Sequence, residues 1–129
     1  MNYFVFNYTN KNGEQKELRL RLTSGDAIEI ENSKKKSILE VLQDESLTSM
    51  ITILRYLNKW ENKNFSFQQA QTLYDELIDS GMTMKSILMD IIYEALVVSG
   101  FLEKDKWEEM KKVYQKAQEK ATKDLQEII

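Results

Sequence analysis

The segment from Gly81 to Leu102, GMTMKSILMDIIYEALVVSGFL, constrains the fold more than any other part of the chain. It is the longest stretch of low charge, and its apolar residues return every three or four positions, which is the period of a helix. Burial of a large aliphatic side chain is worth roughly 1.5–3 kcal/mol, so this helix contributes on the order of ten kcal/mol when other helices cover it. The sequence therefore predicts a helical core around this segment.

The composition excludes several classes of function. A chain of 129 residues is long enough for one domain with a single core. It contains neither cysteine nor histidine, which removes disulfides, thiolate chemistry, the usual zinc sites and histidine bases. The net charge of −3 gives no general attraction to nucleic acid or to an anionic membrane. The absence of a charged leader and the charges within the apolar helix predict a cytoplasmic protein without a membrane span.

Two β-like segments, 3–9 and 16–22, flank the dipeptide Asn12-Gly13, which is a strong hairpin signal. With Asn12 and Gly13 as a two-residue turn, Val5 lies opposite Leu20. One face of the hairpin then carries aromatic and arginine side chains, namely Phe4, Phe6, Tyr8, Arg19 and Arg21. This face either contacts a partner or packs on the helices of the same chain. A slip of one residue in the register would exchange the two faces.

The predicted fold class is α+β and predominantly α: an N-terminal hairpin packs on a bundle of about five helices, with a charged helix at the C-terminus. The predicted elements are a hairpin over 3–22 and helices over about 24–32, 37–43, 46–62, 67–80 and 84–99, within a single domain over 1–102. Ser66 and Thr83 are predicted helix caps, and Gly81 and Gly100 are predicted left-handed helix ends. The short link at Gly81 predicts that the helices on either side pack as an antiparallel or sharply angled pair.

Residues 103–129 differ from the rest because acids and bases alternate and the apolar residues form one narrow stripe. The stripe includes Trp107, Met110, Tyr114, Ala117 and Ala121. Such a stripe is typical of a helix that docks on a partner or along the edge of a core. We therefore predict that these five residues bind a partner or a second copy, with the helix either docked or extended.

We find no arrangement of residues that predicts catalysis, a metal site or a cofactor site. Carboxylate pairs such as Asp75 with Asp79 occur by chance on charged helices, and the four glycines are isolated, so no phosphate loop is present. Methionines at 82, 84 and 89 suit an adaptable binding surface as well as core filling. The chain is not expected to be an enzyme.

The order of several short motifs resembles that of the tail assembly chaperones of long-tailed phages and prophages of Gram-positive bacteria. The motifs are LRLRLTSGDAIEIE (18–31), ILEVL (38–42), ITILRYLNKW (51–60) and YDELIDSGMTMKSILMDIIYEALVVSGF (74–101). The resemblance covers residues 15–102. Two features depart from it: the stretch 33–36 replaces an expected glycine-containing turn, and 103–129 has no counterpart.

The resemblance implies a non-enzymatic protein of the host cytoplasm that is absent from the finished virion. Such a protein self-associates, coats the tape-measure protein to keep it soluble, and helps to recruit tail-tube subunits. A longer frameshifted product is sometimes made from the same gene. The alternative is a small prophage or host regulatory adaptor that binds other proteins. Nucleic acid is the less favoured ligand of such an adaptor because the chain is acidic.

Overall fold

The computed structural model describes residues 2–128, so positions 1 and 129 of the predicted ranges 1–102 and 103–129 lie outside the described residues. The elements are β1 (Phe4–Thr9), β2 (Gln15–Leu20), α1 (Ser24–Lys34), α2 (Ile38–Gln43), α3 (Leu47–Lys59), α4 (Phe67–Asp79), α5 (Met84–Ile87, Leu88–Ile92 and Tyr93–Val98) and α6 (Lys104–Ile128). The hairpin and all six predicted helices are present, which confirms the α+β, mostly helical fold class.

The core lies where the sequence predicts it, around α5. Ile87, Ile91, Ile92 and Leu96 are completely buried. Side chains from β2 and from every helix belong to the same apolar cluster. One face of the hairpin packs against this cluster. The predicted pairing of α4 with α5 is not among the main helix contacts: α4 packs mainly along α3, and α3 in turn contacts the middle of α5.

The register of the hairpin differs by one residue from the prediction. Phe4 pairs with Leu20 and Phe6 with Leu18, whereas Val5 pairs with Arg19. Because side chains alternate between faces, this shift sends the aromatic residues to the core and the arginines outward. The prediction that the aromatic and arginine side chains share one face is therefore wrong.

Asn10 is the physical reason for the shift. Its side-chain oxygen accepts hydrogen bonds from the backbone N–H groups of Asn12 (3.0 Å) and Glu14 (2.9 Å). The turn accordingly begins at Asn10, and Gly13 takes the left-handed conformation (φ +82°) at its end. Gly13 N–H donates to Asn10 O and Asn10 N–H donates to Glu14 O, so the loop has three residues and a bulge at the glycine.

The helix ends follow the predicted local chemistry. Ser66 and Gln69 form a capping box, and the hydroxyl of Thr83 accepts the N–H of Ser86. At Gly81 (φ +110°) and Gly100 (φ +89°) the chain leaves the helix through the left-handed region. In both cases the next residue donates its N–H to a carbonyl five positions earlier, as expected for a Schellman ending.

Helix α5 is not a regular α-helix throughout. Between Leu88 and Ile92 it widens to a π-helical turn, in which Tyr93 N–H donates to the carbonyl of Leu88. Such turns are rare and occur frequently at functional sites. None of the helices within 2–128 has both the length and the apolar character needed to cross a membrane.

Candidate binding groove

The first turns of α6 dock on α5 through Trp107. This side chain is only 2% exposed and meets the ring of Tyr93 edge-on, with centroids 5.2 Å apart. Its Nε1–H donates to Glu94 Oε1 at 2.8 Å. An aromatic contact and a charge-assisted hydrogen bond therefore fix the start of α6 against α5 directly after its widened turn.

A second contact strengthens this docking. Lys111 Nζ lies 2.8 Å from the same Glu94 Oε1 and 5.6 Å from the centre of the Trp107 ring. Glu94 also acts on its neighbour Asp90. Partial burial, and next the negative charge of Glu94, raise the pKa of Asp90, while Lys111 opposes this shift. The carboxylate of Glu94 thus joins one turn of α5 to the first two turns of α6.

Beyond this docked region, α5 and α6 enclose an open apolar groove of about 650 Å³. Met89 and Tyr93 of α5 line it, together with Met110, Val113 and Tyr114 of α6. The polar side chains that line the groove carry both signs of charge and are Glu45, Lys85, Lys106 and Glu109. Lys85 lies 3.7 Å from Glu45 and 5.5 Å from the centre of the Tyr114 ring.

A smaller hollow of about 290 Å³ adjoins the groove, with which it shares Glu45, Tyr93 and Met110. It adds apolar lining from α2 through Leu39 and from the loop after α5 through Leu102. The two hollows together form an apolar depression that involves three helices. We call this depression the α5–α6 groove.

Large apolar side chains on this surface are unusually exposed. Met110 is 54% exposed, Val113 69% and Leu39 59%. Single exposed apolar residues are ordinary, whereas several around one depression mark a binding surface. The groove can bury an apolar ligand, and the exposed Met110 in its lining can adapt to different shapes.

The five residues predicted from the α6 stripe divide into three groups. Trp107 is part of the core, so the prediction that it binds a partner is corrected: Tyr93 and Glu94 already occupy its ring and its N–H. Met110 and Tyr114 line the groove. Ala117 and Ala121 are exposed on the part of α6 that extends past the core.

The predicted hairpin residues are also separated by the structure. Phe4, Phe6 and Tyr8 are half-buried and pack against the core. Arg19 lies on the outward face, where it pairs with Glu17 at 2.7 Å. Arg21 donates from a guanidinium nitrogen to the backbone carbonyl of Asn2 at 2.6 Å. The aromatic residues hold the hairpin on its own helices, so they do not form a joint partner surface with the arginines.

Tyr8 contributes a polar contact between the hairpin and α4. Its hydroxyl donates to Glu76 at 2.8 Å, and the amide of Asn10 donates to the other carboxylate oxygen at 3.0 Å. These two donors, Asn10 first, hold the pKa of Glu76 below its ordinary value. Burial, and next the contact with Glu76, raise the pKa of Tyr8.

Sequence reasoning missed much of the groove lining. Val113 lies three residues after Met110 and four before Ala117, so it fits the helical spacing, but the predicted stripe passed through the adjacent Tyr114 instead. Tyr93 reads as one more position of an apolar helix. Glu45 and Lys85 lie on separate elements and carry no motif. Met89 gave the one usable signal, since the methionines at 82, 84 and 89 already indicated either an adaptable surface or core filling.

Within residues 2–128 no cluster of three or more His, Cys, Asp or Glu side chains is arranged to hold a metal ion. Comparisons of the chain with models of protein families, with curated proteins and with solved structures found no match.

Proposed function

We propose that this chain is a non-enzymatic tail assembly chaperone of a long-tailed phage or prophage. In this proposal it acts in the bacterial cytoplasm, associates with copies of itself, keeps the tape-measure protein soluble and helps to recruit tail-tube subunits. The motif order over residues 15–102 supports the family, and the α5–α6 groove is the single structural observation that carries the binding function.

The shape and lining of the groove suit an amphipathic helix. A helix-in-groove complex places the apolar face of one helix into an apolar depression and leaves the polar face in water. The α5–α6 groove offers two walls, α5 and α6, and the exposed, flexible side chain of Met110. A long helical protein that presents the same type of face many times is the client that such a groove fits.

The charged side chains of the lining support the same type of ligand. Lys85 and Lys106 offer positive charge, and Glu45 and Glu109 offer negative charge. A helix that carries acids and bases beside its apolar stripe can pair with either sign. These pairs add mainly specificity and association rate, while the apolar contact supplies most of the affinity.

Charged substitutions in the groove test the proposal. Met110→Asp and Val113→Asp introduce carboxylates at the exposed apolar wall. The matched control is Ile28→Asp, because Ile28 is 55% exposed, as Met110 is, but lies on α1 away from the groove. Each variant is co-expressed with a candidate tape-measure protein from the same genome, and the soluble, co-purified fraction of that protein is measured.

We expect the wild type and Ile28→Asp to retain the client and the two groove variants to lose it, with unchanged circular dichroism in all four proteins. Two results contradict the proposal. One is that the wild type neither co-purifies with the client nor increases its solubility. The other is that Ile28→Asp reduces binding as much as Met110→Asp does, since the groove then has no special role.

A further inference from the structure

The outer edge of β1 is an open strand edge. In the β1–β2 ladder the even-numbered residues of β1 face β2 with their N–H and C=O groups, as the bond from Asn10 N–H to Glu14 O fixes. The backbone groups of Val5, Asn7 and Thr9 therefore point away from β2. Among residues 2–128, no group forms a hydrogen bond with them.

The outer edge of β2 differs, because α3 and its end cover it. Arg21 N–H donates to the carbonyl of Leu57 at 3.0 Å. The indole N–H of Trp60 donates to the carbonyl of Arg19 at 3.1 Å. Only the β1 side of the hairpin is thus able to add another strand.

The β1 edge also lacks the usual protection against pairing. Natural edge strands carry lysine, proline or a bulge that prevents another chain from adding to them. The segment YFVFNYTN at 3–10 contains no charged residue and no proline. The bulge of this hairpin lies at Gly13, beyond the end of β1. The outward side chains of Val5, Asn7 and Thr9 are exposed.

We propose that β1 pairs antiparallel with β1 of a second copy of this chain and forms a four-stranded sheet across a two-fold axis. With the axis at Asn7, Val5 lies opposite Thr9 of the second copy, and the two Asn7 residues face each other. Each of these pairs exchanges backbone hydrogen bonds through the outward groups that are open in one chain.

The sequence of β1 favours a second copy over another extended peptide. At a two-fold axis the central residue faces itself, and Asn7 does so as a neutral amide that can both donate and accept. On the inner face Phe6 then lies beside Tyr8 of the second copy, which extends the aromatic layer under the sheet. Val5 beside Thr9 places two β-branched residues together on the outer face, as strands prefer.

A cysteine crosslink tests the geometry directly, because the natural chain contains no cysteine. In Asn7→Cys the two thiols lie directly opposite at a Cα separation of about 5.5 Å, within the range that a disulfide needs. Glu17→Cys is the matched control, since Glu17 is the β2 partner of Asn7 and is also exposed on the same face. Under mild oxidation we expect a covalent dimer from Asn7→Cys and none from Glu17→Cys.

Light scattering with lysine variants provides the second measurement. We expect the wild type and Glu17→Lys to have twice the monomer mass of 15.2 kDa at high protein concentration, and Asn7→Lys to be monomeric because two lysines meet at the axis. Unchanged circular dichroism of Asn7→Lys verifies that its fold is intact. A wild type that stays monomeric, or a dimer that survives in Asn7→Lys, overturns the proposal.

The dimer forms through β1 of the hairpin. It rests on the proposed function in that it specifies how the proposed self-association occurs. Neither experiment requires a client protein, and the groove variants do not alter β1. Failure of the dimer is therefore distinguishable from failure of client binding.

Discussion

Replacement of Trp107 by alanine tests whether α6 is an integral part of the fold. The indole is 2% exposed, contacts Tyr93 edge-on at 5.2 Å between centroids and donates to Glu94 at 2.8 Å. Removal of the ring leaves a cavity between α5 and α6 and takes one of two donors from Glu94. Lys111 still lies 2.8 Å from that carboxylate, so its charge remains compensated.

The expected loss of stability follows from these contacts. A buried aromatic side chain covers about 150–250 Å², which corresponds to about 4–6 kcal/mol at roughly 25 cal/mol per Å². Alanine retains a small part of that area. Replacement of a buried aromatic residue by alanine lowers the free energy of unfolding by about 3–5 kcal/mol in other proteins. We expect Trp107→Ala to lower the free energy of unfolding by about 3–4 kcal/mol. Trp107→Phe should cost about 2 kcal/mol, because it keeps the ring contact but loses the hydrogen bond.

Urea unfolding, followed by circular dichroism and by fluorescence, measures this loss. Circular dichroism follows Trp107→Ala, because fluorescence there reports only Trp60. In a Trp60→Phe background the chain with Trp107 intact has a single tryptophan, and its fluorescence reports on α6 docking in the reference protein and in the control variant. The matched control is Met110→Ala, one turn further along α6, where the side chain is half exposed and the expected change is below about 1 kcal/mol. A loss of less than about 1 kcal/mol in Trp107→Ala, with an unchanged dependence on urea, would show that α6 contributes nothing to the folded core.

Three further changes test other parts of the structure. Lys35 ends α1 in the left-handed region (φ 55°), so Lys35→Gly should raise the free energy of unfolding by about 0.5–1 kcal/mol, while Lys36→Gly should not raise it. The pKa of Glu76 is held below its ordinary value of 4.5, so the ionised carboxylate stabilises the fold above that pH, and this stabilisation disappears as the pH falls through the lowered pKa. The denaturation midpoint of Glu76→Gln should therefore fall less steeply with acid than that of the wild type. Equal slopes would contradict this. Gly81→Ala should cost about 1 kcal/mol or more in thermal unfolding because φ is +110°, whereas Gly25→Ala, which has open space and no positive φ, should be neutral or stabilising.

The helices were predictable because their determinants are local. Ser66 and Thr83 begin helices through hydroxyl groups that accept an N–H three residues later, and Gly81 and Gly100 end them through a conformation that other residues rarely adopt. Each of these signals needs only a few neighbouring residues. The apolar period of α5 likewise identified the core, because a helix that is buried on most of its surface has a long segment with few charged residues.

The hairpin register was not predictable from the same type of signal. Asn12-Gly13 is a strong two-residue turn sequence, but Asn10 competes by accepting two backbone N–H groups with one side-chain oxygen. Its amide also reaches Glu76 on α4, sixty-six positions away. The contact with Glu76 adds to the local bonds of Asn10, and no short window of sequence contains it.

The groove was missed for a related reason, which is that no segment contains it. Tyr93, Val113 and Leu39 come from three helices and meet only after the chain has folded. The α6 stripe was correctly identified as apolar, yet Trp107 and Met110, which are one turn apart, are 2% and 54% exposed. The period of a stripe shows which side of a helix is apolar but not where along its length the contact with the core ends.

The point along α6 where the contact with the core ends explains why the groove exists. Trp107 and Lys111 bind Glu94 at the start of α6, and Tyr114 is the last described side chain of α6 that packs against the core. A helix docked along its whole length would cover Val113. Because α6 is fixed only by its first turns, the α5–α6 groove stays open beside α5. The proposed client surface is thus a consequence of how α6 is attached. It lies on different elements from the β1 edge, so a dimer through β1 would present two such grooves, and a monomeric Asn7→Lys protein should still bind one client helix per chain, although without the gain that two linked sites provide.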